Sequence, residues 1–142
     1  MSETTENSKT SPHIWVLSTY FAEGFPYAIV HQVAEVLFKE MNASLQAIGL
    51  TSLFHLPWNL KFLWGPFLDA YATKRKWLLW TEILLTGSLV ALAFSAIAPN
   101  VLVLASIAFV LIALLSATHD IAIDGYYLEG LNEEQQSQFV GY

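Results

Sequence analysis

Apolar residues gather in four long stretches separated by short polar breaks. They run from Ile14 to Leu37, from Gln46 to Leu68, from Trp77 to Ala98, and from Val101 to about Asp124. Each is near the ~20 residues that an α-helix needs to cross a ~30 Å hydrocarbon core. From Ile83 to Thr118 no side chain is charged. One helix of that length would overshoot a bilayer, and Pro99-Asn100 is the break in the run, so it is predicted to fold as two spans joined by a tight hairpin. The pattern as a whole predicts an all-α, polytopic membrane helix bundle. The first and second spans carry several polar groups, the third is nearly free of them, and the fourth is apolar until its cytoplasmic end.

The two ends read differently. Residues 1–13, MSETTENSKTSPH, form a polar, acidic tail without the positive start and short apolar core of a cleaved signal peptide, so the first apolar stretch is expected to stay as a span. Near the other end, Asn132-Glu133-Glu134-Gln135 reads as a helix start, with Asn as N-cap, acids in the first turn and Gln at the capping-box position. Residues 128–142 are thus expected to be a cytoplasmic linker and the start of a fifth helix, with more spans to follow in a longer parent chain. Orientation follows from the basic loop Lys74-Arg75-Lys76 between the second and third spans. The positive-inside rule puts that loop and the N-terminus in the cytoplasm, with 38–44 and Pro99-Asn100 outside.

Composition narrows the function. Charged residues make up 13% of the 142-residue chain, about half the ~25% of a soluble domain. The net charge of −6 comes from scattered acids, and the six Lys and Arg form no nucleic-acid footprint. Without cysteine there is no disulfide framework, thiolate metal site or cysteine nucleophile. No arrangement of nucleophile, metal ligands or cofactor motif stands out, so neither an enzyme, a metal site nor a cofactor is expected.

Polar groups inside spans are costly and call for a reason. In the first span Glu23, Tyr27, His31 and Glu35 recur at i, i+4 and make one polar stripe, with Glu23 ~14 Å deep. Gly24 and Pro26 interrupt the same span, as in the discontinuous helices of transporter sites. In the second span His55 and Asn59 share a face around Pro57, and His55 lies at a depth where it could meet Glu23 across the two helices, a pairing suited to proton coupling. Lys61 is placed to snorkel or to form an ion pair. In the fourth span Ser116, Asp120 and Asp124 are again i, i+4, with Asp124 toward water. The third span carries Glu82 alone, near the inner interface, and reads as lipid-facing. Each polar residue also has a plainer reading as hydrogen-bonding glue between helices.

Two sets of residues carry a family resemblance. The segment Gly65-Pro66-Phe67-Leu68-Asp69-Ala70-Tyr71-Ala72-Thr73-Lys74-Arg75-Lys76 resembles the signature between the second and third helices of the major facilitator superfamily, although Ala70, Ala72 and Thr73 stand where Arg, Gly and Arg are usual. Phe21-Ala22-Glu23-Gly24-Phe25-Pro26, Lys61-Phe62-Leu63-Trp64-Gly65-Pro66 and Ser116-Ala117-Thr118-His119-Asp120-Ile121-Ala122-Ile123-Asp124 together resemble the AmpG-type muropeptide permeases and the related acetyl-coenzyme A transporters. The resemblance implies the first four helices of a longer bundle in the inner membrane, with the first and fourth lining a cavity and the third outside.

It further implies proton-coupled import, by alternating access, of a glycopeptide, the N-acetylglucosamine–anhydro-N-acetylmuramic acid disaccharide with its peptide. On that reading Glu23 is the first choice for proton coupling, Tyr27, His31, His55, Asp120 and Asp124 give the cavity its polarity, and Gly65, Asp69, Lys74 and Arg75 form the cytoplasmic gate, Gly65 by permitting close helix approach. The expected partners are lipid, protons, cargo and the remaining helices of the parent chain, and no nucleic acid. Two alternatives stay open: an acyl-coenzyme A or other solute permease of the same superfamily, and a small four-helix membrane subunit or scaffold without transport activity.

Overall fold

A computed structural model describes residues 12–139, and every regular element among them is helical. The polar tail up to residue 11 and residues 140–142 lie outside the described residues.

The first rod is built from α1 (Pro12–Ala28), a π turn (Ile29–Val33) and α2 (Ala34–Glu40). Pro26 lies inside α1. Its ring cannot donate to the turn before it, and the wider π turn follows within one helical turn. Val30, Ala34 and Phe38, each four residues from the next, form the buried face of this rod. The rod ends where Asn42 takes a left-handed φ of 54°, a conformation that Asn tolerates well after a helix.

The second rod is the most broken. It consists of α3 (Leu45–Leu50), a 3-10 turn (Thr51–His55), α4 (Leu56–Leu60), a second 3-10 turn (Lys61–Leu63) and α5 (Gly65–Tyr71). Ser44 opens it as N-cap, its Oγ accepting from the Ala47 amide at 3.2 Å. The first break has a local cause. The hydroxyls of Thr51 and Ser52 donate back to the carbonyls of Ile48 and Gly49, at 2.7 and 2.8 Å, and compete for helix acceptors. Pro57 and Pro66 then sit in the first turns of α4 and α5, where a missing N–H does no harm.

The two remaining rods are continuous. α6 (Lys74–Ser95) and α7 (Val101–Gly130) have 22 and 30 residues, and both are long and apolar enough to cross a membrane. α6 ends at Ser95 rather than at Ala98, because i→i+3 backbone bonds from the amides of Ala96, Ile97 and Ala98 tighten the chain into the hairpin. α7 runs six residues beyond Asp124, to Gly130. At 1.5 Å per residue it is ~45 Å long, more than the hydrocarbon core requires.

α7 is the axis of the molecule, with α6 along one side and α1 and the second rod along others. Its buried apolar positions mix small and large: Ala105, Ala108, Ala113, Ala117 and Ala122 with Phe109, Ile112 and Ile123. Alanines allow the neighbouring backbones to come close, which is how helices pack where lipid supplies no hydrophobic drive. α6 turns Leu78, Thr81 and Leu85 to α7 and leaves Trp80, Ile83, Val90 and Phe94 exposed. After α7, α8 (Glu133–Phe139) starts with a capping box: the Gln135 amide donates to Asn132 Oδ1 at 2.8 Å, and the Asn132 amide to Gln135 Oε1 at 3.2 Å. The Tyr127 hydroxyl donates to the Gln136 carbonyl at 2.7 Å and ties α8 back to α7.

Candidate functional site

The charged side chains of the bundle interior converge on α7. Asp120 is buried, and Lys61 Nζ bonds to its Oδ2 and lies 3.7 Å from Asp124 Oδ2. The second 3-10 turn carries Lys61, so the lysine comes from a break in the rod rather than from a regular helix face. From α1, the Glu23 carboxyl faces the same cluster, close enough to Asp120, Asp124 and Lys61 for their charges to act on it. Glu23 Oε2 is buried and has no hydrogen-bond partner among the described residues. The cluster thus sets three acids, on two helices, around one ammonium. Trp64 Nε1 donates to Thr118 Oγ1 at 3.3 Å beside it.

His55 does not meet Glu23. It stacks on His31 with ring centroids 3.7 Å apart, and His31 stacks on Tyr27 at the same separation. Trp58 meets Tyr27 and His31 edge-on, at 5.1 and 5.0 Å. The i, i+4 spacing accounts for the Tyr27–His31 pair, and the π turn that carries His31 together with the 3-10 turn that carries His55 accounts for the third ring. Sequence spacing alone does not see those turns, which is why depth counted along a uniform helix matched His55 to the wrong partner. Glu23, Asp120 and Asp124 are together in one cluster, and Tyr27, His31 and His55 in another.

At the other end of the second rod, Lys74 Nζ pairs with Asp69 Oδ1. The lysine stem passes over Gly125, where a Cβ would lie 2.5 Å from Lys74 Cε. Trp77 Nε1 donates to the Leu68 carbonyl at 3.1 Å and closes the same corner. Arg75 is exposed. Gly65 has nothing within 4 Å of its would-be Cβ, so among the described residues it serves no close helix approach. Instead it lines an open groove of about 330 Å3 with Lys61, Asp69 and Asp124.

One pair was not singled out from sequence. His119, fully buried on α7, places Nε2 3.6 Å from Glu82 Oε1 on α6, and neither ring nitrogen has a hydrogen-bond partner among the described residues. Glu82 therefore faces a histidine across the α6–α7 seam, with its side chain about half exposed, and α6 is not solely a lipid-facing helix. The signal was available: one acid in α6 and one histidine in α7 are each isolated in apolar sequence, and isolated polar groups in such helices tend to find one another.

The chain is 33% identical over 122 residues to an uncharacterised protein of Haemophilus influenzae, covering 82% of this chain and 28% of that one. It is also 33% identical over 121 residues to the anhydromuropeptide permease of Escherichia coli K12, with 82% of this chain and 24% of the permease covered. A protein of Rickettsia prowazekii named as an AmpG transporter is 26% identical over 136 residues, covering 89% of this chain and 32% of that protein. The chain thus spans about a quarter to a third of the length of the curated relatives it matches. No protein-family model matches it, and no solved structure does. By sequence, this chain is a homologue of anhydromuropeptide permease and the AmpG transporters, alignable with part of their length.

Proposed function

We propose that this chain forms part of a secondary transporter of the major facilitator type, which imports anhydro-muropeptides across the inner membrane by alternating access with proton coupling. The observation that carries this reading is the Glu23–Asp120–Lys61–Asp124 cluster set among apolar helices. Three carboxyls against one ammonium leave an excess of negative charge that is expensive away from water, and a proton is the cation that relieves it. Proton uptake therefore favours the arrangement in which α1, the second rod and α7 close on one another, and proton release favours the open one. The breaks in the first two rods put the moving parts where transporters carry them, at discontinuous helices. The cargo comes from the printed name of the Escherichia coli relative, and the aromatic and histidine cluster one face away supplies rings and polar edges for it.

An acyl-coenzyme A cargo fits less well. Its phosphates would want a cation, and Lys61 is already held by two aspartates. The test is uptake of labelled anhydro-muropeptide by vesicles that hold the intact protein, under an imposed pH gradient, inside alkaline. Accumulation that a protonophore abolishes supports the reading, and accumulation indifferent to the protonophore removes proton coupling from it. Orientation is read separately. With single cysteines in this cysteine-free chain, an impermeant thiol reagent on intact cells is expected to label Ala43→Cys and to spare Thr73→Cys, and the reverse pattern inverts the topology.

A further inference from the structure

Most clefts between the described helices are walled by Leu, Ile, Phe and Ala. One is different. Between the π turn of the first rod and the first 3-10 turn of the second lies a cleft of about 260 Å3, lined by His31, Glu35, Thr51, Ser52 and His55. Glu35 is the member of the α1–α2 polar stripe that neither the charged cluster nor the ring stack uses.

The polar atoms here have a common bias. The Thr51 and Ser52 hydroxyls spend their protons on the Ile48 and Gly49 carbonyls, so toward the cleft they offer lone pairs. His31 Nδ1 lies 2.9 Å from the Tyr27 carbonyl, which can only accept, so Nδ1 holds the proton and Nε2 of the neutral ring is an acceptor. Glu35, when ionised, is acceptor-only. A site so rich in acceptors selects a ligand rich in donors. All but one of these acceptors are neutral, which matches hydroxyl and amide N–H groups better than a bare cation. His31 is sandwiched between Tyr27 and His55, so of the stacked rings the outer face of the cleft-lining His55 is left for the C–H face of a sugar to pack against. The volume falls below the ~300–1,000 Å3 of a pocket that encloses a drug-sized ligand, which leaves room for one pyranose ring.

We propose that this cleft is the subsite for one sugar ring of the cargo, with Glu35 and Ser52 as the residues that read its hydroxyl and acetamido groups. The assignment rests on the muropeptide reading above and extends it from the cargo as a whole to its glycan part. A site built to hydrogen-bond a hydroxyl discriminates sharply against ligands that lack it, so this cleft sets specificity and not coupling.

The experiment uses the intact protein in membrane vesicles, with labelled anhydro-muropeptide as substrate and two unlabelled competitors, the disaccharide without peptide and the peptide without disaccharide. Glu35→Gln and Ser52→Ala are expected to raise KM, by about 10-fold for Glu35→Gln as befits a lost charge-assisted hydrogen bond, and by less for Ser52→Ala. Both are expected to weaken competition by the disaccharide in proportion and to leave competition by the peptide as it was. Unchanged KM and unchanged disaccharide competition in both variants, at normal membrane abundance, overturn the assignment. So does a selective loss of peptide competition, which would make the cleft an amine subsite. Failure of the wild-type protein to take up the substrate at all is a different result, and it removes the transport reading rather than this one.

Discussion

The α6–α7 pair and the α1–second-rod pair are built on opposite plans. α6 and α7 are unbroken over 22 and 30 residues and meet through alanines and aliphatic side chains, with one polar contact, His119 to Glu82, at their seam. The first two rods change helix type at 29–33, 51–55 and 61–63, and those breaks carry His31, His55 and Lys61. Regular helices give a scaffold whose backbone is satisfied within itself, as the hydrocarbon demands. Broken helices turn side chains in directions that a uniform helix cannot. α7 belongs to both plans, since it holds α6 with one face and presents Asp120 and Asp124 to the broken rods with another.

If α7 is the shared axis, damage to its packed face should be the most severe. Phe109 is fully buried and stacks on Phe54 of the second rod, with centroids 5.6 Å apart. Phe109→Ala is expected to destabilise the reconstituted protein by about 3 kcal/mol, read from its unfolding in denaturing detergent. A change within about 0.5 kcal/mol, the scale of a surface substitution, would mean that α7 is not the element on which the two plans meet.

Removing the ammonium is the next largest change. Lys61→Met leaves Glu23, Asp120 and Asp124 without a cation, and the expected loss is about 2 kcal/mol, smaller than for a fully buried pair because Lys61 is about a third exposed. Asp120→Asn in the same background should recover part of that loss, because it withdraws one of the unbalanced charges, and a strictly additive double variant would contradict the pairing.

His119→Leu sharpens the contrast from the scaffold side. The ring makes no hydrogen bond among the described residues, so an apolar replacement of similar size is expected to be neutral or stabilising, by up to about 1 kcal/mol. A clear destabilisation would show that the Glu82 contact contributes more than its 3.6 Å separation suggests. The smallest effect is expected at Gly125. In Gly125→Ala the new methyl meets the flexible stem of Lys74 and displaces it, releasing Asp69 at a cost below about 1 kcal/mol. A double-variant cycle reads the displacement: if the methyl already frees Asp69 from Lys74, Asp69→Ala costs less in the Gly125→Ala background than in the wild type, and an additive cycle would place the lysine elsewhere.

The two plans were not equally legible in the sequence. The unbroken helices follow from hydropathy and length, and the capping box that opens α8 could be read residue by residue at Asn132 and Gln135. The i, i+4 spacing of Asp120 and Asp124 put both acids on one face of α7, which is where Lys61 reaches them. What could not be read were the interruptions. A π turn and two 3-10 turns shift the register of a rod by amounts that hydrophobic periodicity does not record, so His55 was matched to Glu23 by depth when it in fact stacks on His31. Gly125 was missed because its role depends on a lysine more than 50 residues away that folds back over it.

The central claim is that Glu23 carries the coupling proton, and it is tested most directly by Glu23→Gln in the intact protein. The amide keeps the shape of the carboxyl and cannot cycle a proton. The variant is expected to reach the membrane at normal abundance, to lose accumulation of anhydro-muropeptide driven by an imposed pH gradient, and to retain exchange of labelled for unlabelled cargo. If Glu23→Gln still accumulates cargo in response to the gradient, Glu23 is not the coupling group, and the role passes to Asp120.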